Sequence, residues 1–251
     1  MPHYLTFALI APLASFGSIA VGERRSSWDR PARSAVLGLV GACLGLHRND
    51  DEGQEALTTG YGIALLCHSP GSLLTDYHTT QVPSAARGRR FSTRSIELAE
   101  PNLNTILSRR DYRTGAWHLG AIYARETARW SLKDLAEAMR CPRFVPYLGR
   151  KSCPLGVPLG PSIDEATDVS AALLARHQAG PEAALPGDGW RGLRDVLAAP
   201  RVESTIVMDA AEMTQGDPRH RRTEFRRDQP RSRRRWQFDL RKEAVLGAEI
   251  P

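Results

Sequence analysis

Lysine is nearly absent from this chain. Of its 34 cationic side chains, 31 are arginine. Arginine forks match phosphate oxygens two at a time and stack on flat rings. A GC-rich genome, which favours arginine codons, produces the same bias with no functional meaning. Cysteines are few and scattered. Cys43, Cys67, Cys141 and Cys153 show no C-x-x-C spacing, so a zinc cluster lacks its ligands. Free buried thiols in a reducing cytoplasm are the expectation. No later apolar run approaches the roughly 18 residues of a membrane span. The apolar start YLTFALIAPLASFGSIAVG has no cation ahead of it and is interrupted by Pro12. It is therefore expected to open the fold as a strand, His3 to Ile10, not to act as a signal peptide.

Catalytic signatures are missing too. There is no D-x-D pair with a helical histidine, no H-x-x-x-H and no G-x-S-x-G, so the common metal cages and nucleophile elbows have no counterpart. Gly149-Arg150-Lys151-Ser152 imitates the end of a phosphate-binding loop. However, Arg150 separates glycine from lysine, and Phe144 stands where the first glycine belongs. No metal and no cofactor are expected.

What is present is punctuation and charge. The stretch CPRFVPYLGRKSCPLGVPL, Cys141 to Leu159, carries Pro142, Pro146, Pro154 and Pro158 with Gly149 and Gly156. No long helix survives there. A loop so stiffened, with Arg150 and Lys151 at its centre, reads as a rigid surface for an anion. The net charge of +6 is uneven: Arg219 to Arg235 holds nine arginines against Glu224 and Asp228, leaving the rest near −1. The same region ends in Trp236, Phe238 and Leu240 at a period of two, a strand signal.

Read coarsely, strand one leads through a connection, Ala11–Gly22, to a helix from about Pro31 to Leu46, with Asp29 as its cap. HRNDDEG closes that helix. Gly38, Gly41 and Gly45 share a stripe with Ser34, each interior glycine costing about 1 kcal/mol relative to alanine. Either close packing or direct approach of a ligand's phosphate backbone offsets that cost. The helix start, Arg30–Ser34, suits a phosphate by its free N–H groups and dipole. Tyr61–His68 is a second strand, and LLTDYHTTQV an extended one. Pro83 to Pro101 loses apolar periodicity. Thr105–Tyr112 and Trp117–Ala124 are strands joined by Arg113–Gly115. Ser131 caps a helix to Arg140, another helix covers Thr167–His177, and a strand covers Glu203–Met208. This order predicts an α+β, ferredoxin-like (RRM-like) antiparallel sheet with helices on one face. The expected parts are residues 1–160, an insertion or linker at 161–200, and a small basic C-terminal β region at 201–251.

Two stretches carry a resemblance: RPARSAVLGLVGACLGLHRNDD at Arg30–Asp51 and PYLGRKSCPL at Pro146–Leu155. APLASFG at Ala11–Gly17, DYHT at Asp76–Thr79 and SRRDY at Ser108–Tyr112 follow the same order. Together they resemble the CasD family, a subunit of the type I-E CRISPR Cascade complex, chiefly over residues 3–160. The resemblance implies an RNA-binding, non-catalytic, cytoplasmic protein holding the 5′ handle of the guide RNA. Its partners would be the Cascade backbone and large subunits and, indirectly, target DNA. A β-hairpin thumb would span about 74–113.

Single-stranded RNA is held by cations along phosphates and flat side chains under bases. The clusters of that composition are Arg24, Arg25, Arg30, Arg33 and Ser34 near Trp28; Tyr77 and His78; Arg87, Arg89 and Arg90 beside Phe91; Arg109 and Arg110 beside Tyr112; and Tyr147, Arg150 and Lys151. Each alone also fits a solvated charged face. The basic segment Arg219–Arg235 leaves three roles open: RNA, target DNA or salt pairing with neighbours. The alternative function is a metal-independent endoribonuclease maturing CRISPR precursor RNA, in which Tyr77, His78 and Lys151 act together, His78 as base and Lys151 stabilising phosphorane charge.

Overall fold

The computed structural model describes residues 1–17, 20, 22–84, 90–182 and 203–250. Strand β1 (His3–Ala14) alternates its side chains between two cores. Leu5, Phe7 and Leu9 face one, while Tyr4, Ala8 and Ile10 face the other, as the two-residue period of a strand requires. Pro12 does not end the strand, which continues four residues beyond the expected stop. Short strands β2 (Phe16–Gly17), β3 (Arg24–Arg25) and β4 (Ser27–Trp28) follow.

Helices α1 (Arg33–Leu44) and α2 (Asp51–Gly60) come next. Asp29 does not cap α1; its carboxylate pairs with Arg30. Ala32 holds the cap position without a side-chain bond, and the Arg33 N–H donates instead to Asp228 at 2.9 Å. The polar run expected to be only a stop opens α2, because Asp50 accepts the Gly53 N–H at 2.9 Å. A carboxylate in that position satisfies an otherwise orphaned helix donor.

Then come β5 (Tyr61–Ser69), β6 (Ser72–Pro83), the short helix α3 (Arg94–Leu98) and β7 (Leu103–Ala124). The expected break at Arg113–Gly115 is absent: β7 is one strand of 22 residues. Its far half pairs with β1 and β5 inside the sheet. Its near half pairs only with β6 and, briefly, with β3. β6 and the near half of β7 therefore form a two-stranded arm, mostly exposed, that leaves the core.

The chain closes with α4 (Leu132–Arg140), β8 (Ser162–Glu165), α5 (Val169–Ala179), β9 (Thr205–Asp209), β10 (His220–Ser232) and β11 (Gln237–Gly247). Ser131 caps α4 as expected, and Asp134 makes the cap a reciprocal box. Among the described residues the main path of the sheet runs β10-β11-β9-β5-β7-β1-β8. Each pairing along that path is antiparallel. Strands from all three expected parts join it.

The helices do not all lie on one face. α1 and α4 pack on the Leu5–Phe7–Leu9 side, while Val169, Ala172 and Leu173 of α5 cover the opposite side. Cys43, Cys67 and Cys153 are buried as expected, but Cys141 is exposed. Among the described residues no helix is long and apolar enough to cross a membrane.

Candidate nucleic-acid interface

The base of the arm is organised by one carboxylate. Asp111 of β7 is 1% exposed. Its Oδ2 accepts from Arg24 Nε and Nη2 at 3.2 and 2.9 Å, and its Oδ1 from Thr75 Oγ1 at 2.9 Å. Its carbonyl accepts from Ser15 Oγ and from Arg150 Nη1, both at 3.2 Å. Burial alone would raise this carboxyl's pKa. The hydrogen bonds from Arg24 and Thr75 and the charges of Arg24 and Arg150 outweigh it and hold the group below its ordinary range. Asp111 thus ties Ser15 just after β1, together with β3, β6, β7 and the proline-rich loop, to one point. Sequence alone does not single out Asp111 within SRRDY, because a lone acid among arginines carries no signal of its own.

Around this hub the cations outnumber their partners. β3 runs alongside β7, matching Arg24 with Arg109 and Arg25 with Arg110. Arg150 Nη2 donates to the Arg25 carbonyl at 3.1 Å, and its guanidinium lies 4.4 Å over the Tyr112 ring. Arg109 sits 5.9 Å over Tyr77, its partner across the arm. Among the described residues no carboxylate pairs with Arg25, Arg109, Arg110, Arg150 or Lys151. An open cleft of about 380 Å³, lined by Ser26, Ser27, Trp28, Asp29 and Arg113, adjoins this surface.

The proline-rich loop is fixed by close approach. Gly149 has φ +92°, and a Cβ there would lie 1.7 Å from the Ser15 carbonyl oxygen. No L side chain fits both the dihedral and the space. Ser15 N–H donates to Leu148 O at 3.0 Å, Leu148 N–H to Cys153 O at 2.9 Å, and Tyr147 bridges Pro154. The loop therefore presents Tyr147, Arg150 and Lys151 from a rigid frame.

Arg30 and Arg33 lie elsewhere. Each is 4% exposed. Arg30 donates to Glu243 Oε2 at 3.0 and 2.6 Å, to Glu224 Oε2 at 2.5 Å, and to Asp29. Burial works against its charge, and Glu243 and Asp29 more than restore it, so its pKa stands above the ordinary value. Arg33 donates to the carbonyls of Thr58 and Tyr61 at 2.8 and 2.9 Å. Burial lowers its pKa. Asp228 already supplies the anion at the start of α1. The Ser34 carbonyl accepts from Arg233, whose guanidinium covers Gly38. The glycine stripe is therefore filled by packing: Arg233 over Gly38, α2 against Gly41 and Arg143 against Gly45.

The arm residues divide by face. Tyr77 is 55% exposed. His78 Nδ1 lies 2.8 Å from Asp76 Oδ2. Successive strand residues point to opposite sides, so Tyr77 and His78 do not converge. Arg90 is exposed, and Arg87 and Arg89 lie outside the described residues. His118 is fully buried, and burial drives its pKa down to about 3, which removes it from acid–base work at the surface.

The basic C-terminal segment spends part of its charge internally. Glu243 is 2% exposed. Besides Arg30 it accepts from Arg241 Nη2 at 2.6 Å and Arg226 Nη1 at 3.4 Å. Arg241 also grips Asp228 through two bonds of 2.9 Å. For Arg226, salt pairing within the fold is the open role that the structure fills.

The family model described as CRISPR-associated protein (Cas_Cas5) matches residues 4–242, well beyond the residue 160 where the resemblance was expected to thin. The "CRISPR system Cascade subunit CasD" of Escherichia coli (strain K12) is 33% identical over 182 residues, covering 69% of this chain and 77% of that protein. A solved chain of a "CRISPR RNA-guided surveillance complex" aligns with a TM-score of 0.62 at 21% identity, covering 99% of this chain and 91% of its own. Another, described as a Cas protein, gives 0.56 at 22% identity with 97% and 95% coverage. At such identities these two likenesses speak for the fold. The family match along nearly the whole chain and the identity to CasD speak for descent: the chain belongs to the Cas5 family of CRISPR-associated proteins.

Proposed function

We propose that this chain is a non-catalytic RNA-binding subunit of a type I-E Cascade surveillance complex, holding the 5′ handle of the guide RNA. The observation that carries the reading is the imbalance at the arm base: Arg25, Arg109, Arg110, Arg150 and Lys151 against the single buried Asp111. Surplus cations on a rigid frame beside the exposed Tyr77 and Tyr147 fit a folded single strand. Arg24 steers this surface through Asp111. Arg30, Arg33 and Ser34 support it from inside the fold. The arm of β6 and β7 takes the role of the thumb; Arg87, Arg89 and Arg90 belong in sequence to the segment between those strands. We read β8-β1-β7-β5, with α1 and α4 on one side, as a ferredoxin-like unit. Its chain order 4-1-3-2 supports that reading.

In this role the chain bridges the backbone and large subunits in the cytoplasm. Target DNA is met indirectly, through guide pairing. The opposed faces of Tyr77 and His78 argue against a shared acid–base site.

The test uses the full chain and handle RNA. Arg150→Ala with Lys151→Ala should weaken binding and flatten its salt dependence by roughly 0.7 in slope per lost phosphate contact. An unchanged slope would place these cations in protein contacts instead. Precursor guide RNA should stay intact; cleavage that disappears in His78→Ala would replace the capping role with endoribonuclease activity.

A further inference from the structure

The C-terminal hairpin ends in a turn that handle binding leaves unused. Arg233 to Trp236 join β10 to β11, with the Trp236 N–H donating to Arg233 O at 3.3 Å. Trp236 has φ +57°, the one positive value outside glycine among the described residues. Glycine or asparagine suits that position of a hairpin turn. A bulky ring there carries strain that ordinary folding does not require.

The ring is not placed there for the core. Trp236 is 60% exposed. Arg48 lies 4.8 Å over its ring, and Phe238 meets it edge-on at 5.4 Å. Arg48 is itself fixed by a 3.0 Å bond to the Arg233 carbonyl. The whole turn is pinned to α1 by Arg233, which donates to Ser34 O across Gly38. Burial lowers the Arg233 pKa to about 10, so it stays charged at neutral pH. The result is an indole held rigid, buttressed by Arg48 and open to solvent.

Cations flank it. Arg234 and Arg235 are exposed and have no carboxylate partner among the described residues. Arg231 has only Asp239, 4.0 Å away and also exposed. Such pairs are weak. An aromatic ring displayed beside unpaired arginines has the composition of a base-stacking platform with a phosphate clamp. β11 is separated from the arm strand β7 by β9 and β5, so this surface is not part of the arm base.

We propose that the hairpin tip is a second contact for single-stranded nucleic acid. A base stacks on Trp236, and Arg234 and Arg235 hold the flanking phosphates.

The experiment uses the full chain carrying Arg150→Ala and Lys151→Ala, so that the handle surface is already weakened. The probes are labelled oligothymidylate and oligouridylate of roughly 12 nucleotides, within the range that single-strand-binding OB folds cover. Anisotropy reads the affinity. Trp236→Gly relieves the strained dihedral and should keep or raise the melting temperature while lowering affinity about tenfold. Trp236→Phe should retain most binding. Arg234→Ala with Arg235→Ala should reduce the salt slope by about 1.4. Dependence on the thymidylate probe alone identifies DNA, on the uridylate probe alone RNA, and on both a strand recognised by ring and phosphate; each supports the tip. Unchanged affinity in Trp236→Gly together with an unchanged slope in the arginine variant overturns it. Handle-RNA binding by the chain with Arg150 and Lys151 intact is scored separately, so failure of one surface does not mask the other.

Discussion

Replacing Glu243 by alanine should destabilise the fold by about 3–5 kcal/mol, the range for stranding a buried charge. Glu243 accepts from Arg30, Arg241 and Arg226. These three do not lose equally. Arg30 keeps Asp29 and Glu224, and Arg241 keeps Asp228. Among the described residues Arg226, 2% exposed, keeps only the Pro31 carbonyl at 3.5 Å and the Trp28 ring at 4.7 Å. The cost therefore falls mainly on Arg226. For a chain of this size each kcal/mol moves the melting temperature by about 2–4 °C, so a drop of roughly 6–20 °C follows. Circular dichroism melts and urea titrations read it, with an unchanged urea slope marking a loss of stability alone. Glu243→Gln keeps an acceptor oxygen and should lose less. Arg226→Ala added to Glu243→Ala removes the stranded charge and should recover part of the loss. A shift below about 2 °C, or a double variant no better than Glu243→Ala, would refute the argument.

Gly149→Ala sets a methyl group 1.7 Å from the Ser15 oxygen at φ +92°; a loss of roughly 3 kcal/mol or more in urea unfolding is expected. In native protein one thiol, Cys141, should react quickly with a disulfide reagent. Burial pushes Cys43 up to about 11 and Cys67 to about 12, so the buried thiols should wait for denaturant. Asp111 has a folded pKa below its unfolded value. Its contribution is therefore present above about pH 4 and is lost as pH falls through the lower, folded value. Asp111→Asn should flatten that part of the acid stability curve, and an unchanged curve would remove Asp111 as the hub.

Local signals carried much of the fold. The Ser131 capping box is written within four residues, and the punctuated loop around Gly149 is visible from its prolines and glycines. What failed was long in reach. Helix α2 was hidden because DEGQEALTTG has Leu57 as its one large apolar residue; a single cap from Asp50 decides it. β7 was split because Gly115 and two polar neighbours imitate a turn, although Gly115 takes φ +75° inside a continuous strand. The burial of Arg30 and Arg33 depends on Glu224, Asp228, Gln229 and Glu243, each nearly two hundred residues or more away in sequence. No periodicity near the N-terminus announces those partners.

The same distance explains why counting arginines misjudges a nucleic-acid surface. Arg226 and Arg227 are neighbours of one type on one strand. Arg226 faces Arg241 across the ladder and turns inward to Glu243, whereas Arg227 faces Leu240 and is exposed. Strand alternation sends one to the core and the other to solvent. The charge a surface can offer to phosphates is what remains after internal carboxylates have taken their share. By that measure the arm base and the hairpin tip retain surplus cation, while the junction of α1 with β10 and β11 does not. Substitutions at Arg30, Arg226 or Arg241 should therefore lower stability first, and any loss of RNA binding they cause should track the unfolded fraction. Substitutions at Lys151, Arg234 or Arg235 should change salt-dependent binding in chains that melt like the parent, whereas Arg150, which also donates to the Asp111 and Arg25 carbonyls, should move both quantities. Measuring both quantities on each variant separates arginines that build the protein from arginines that meet its partner.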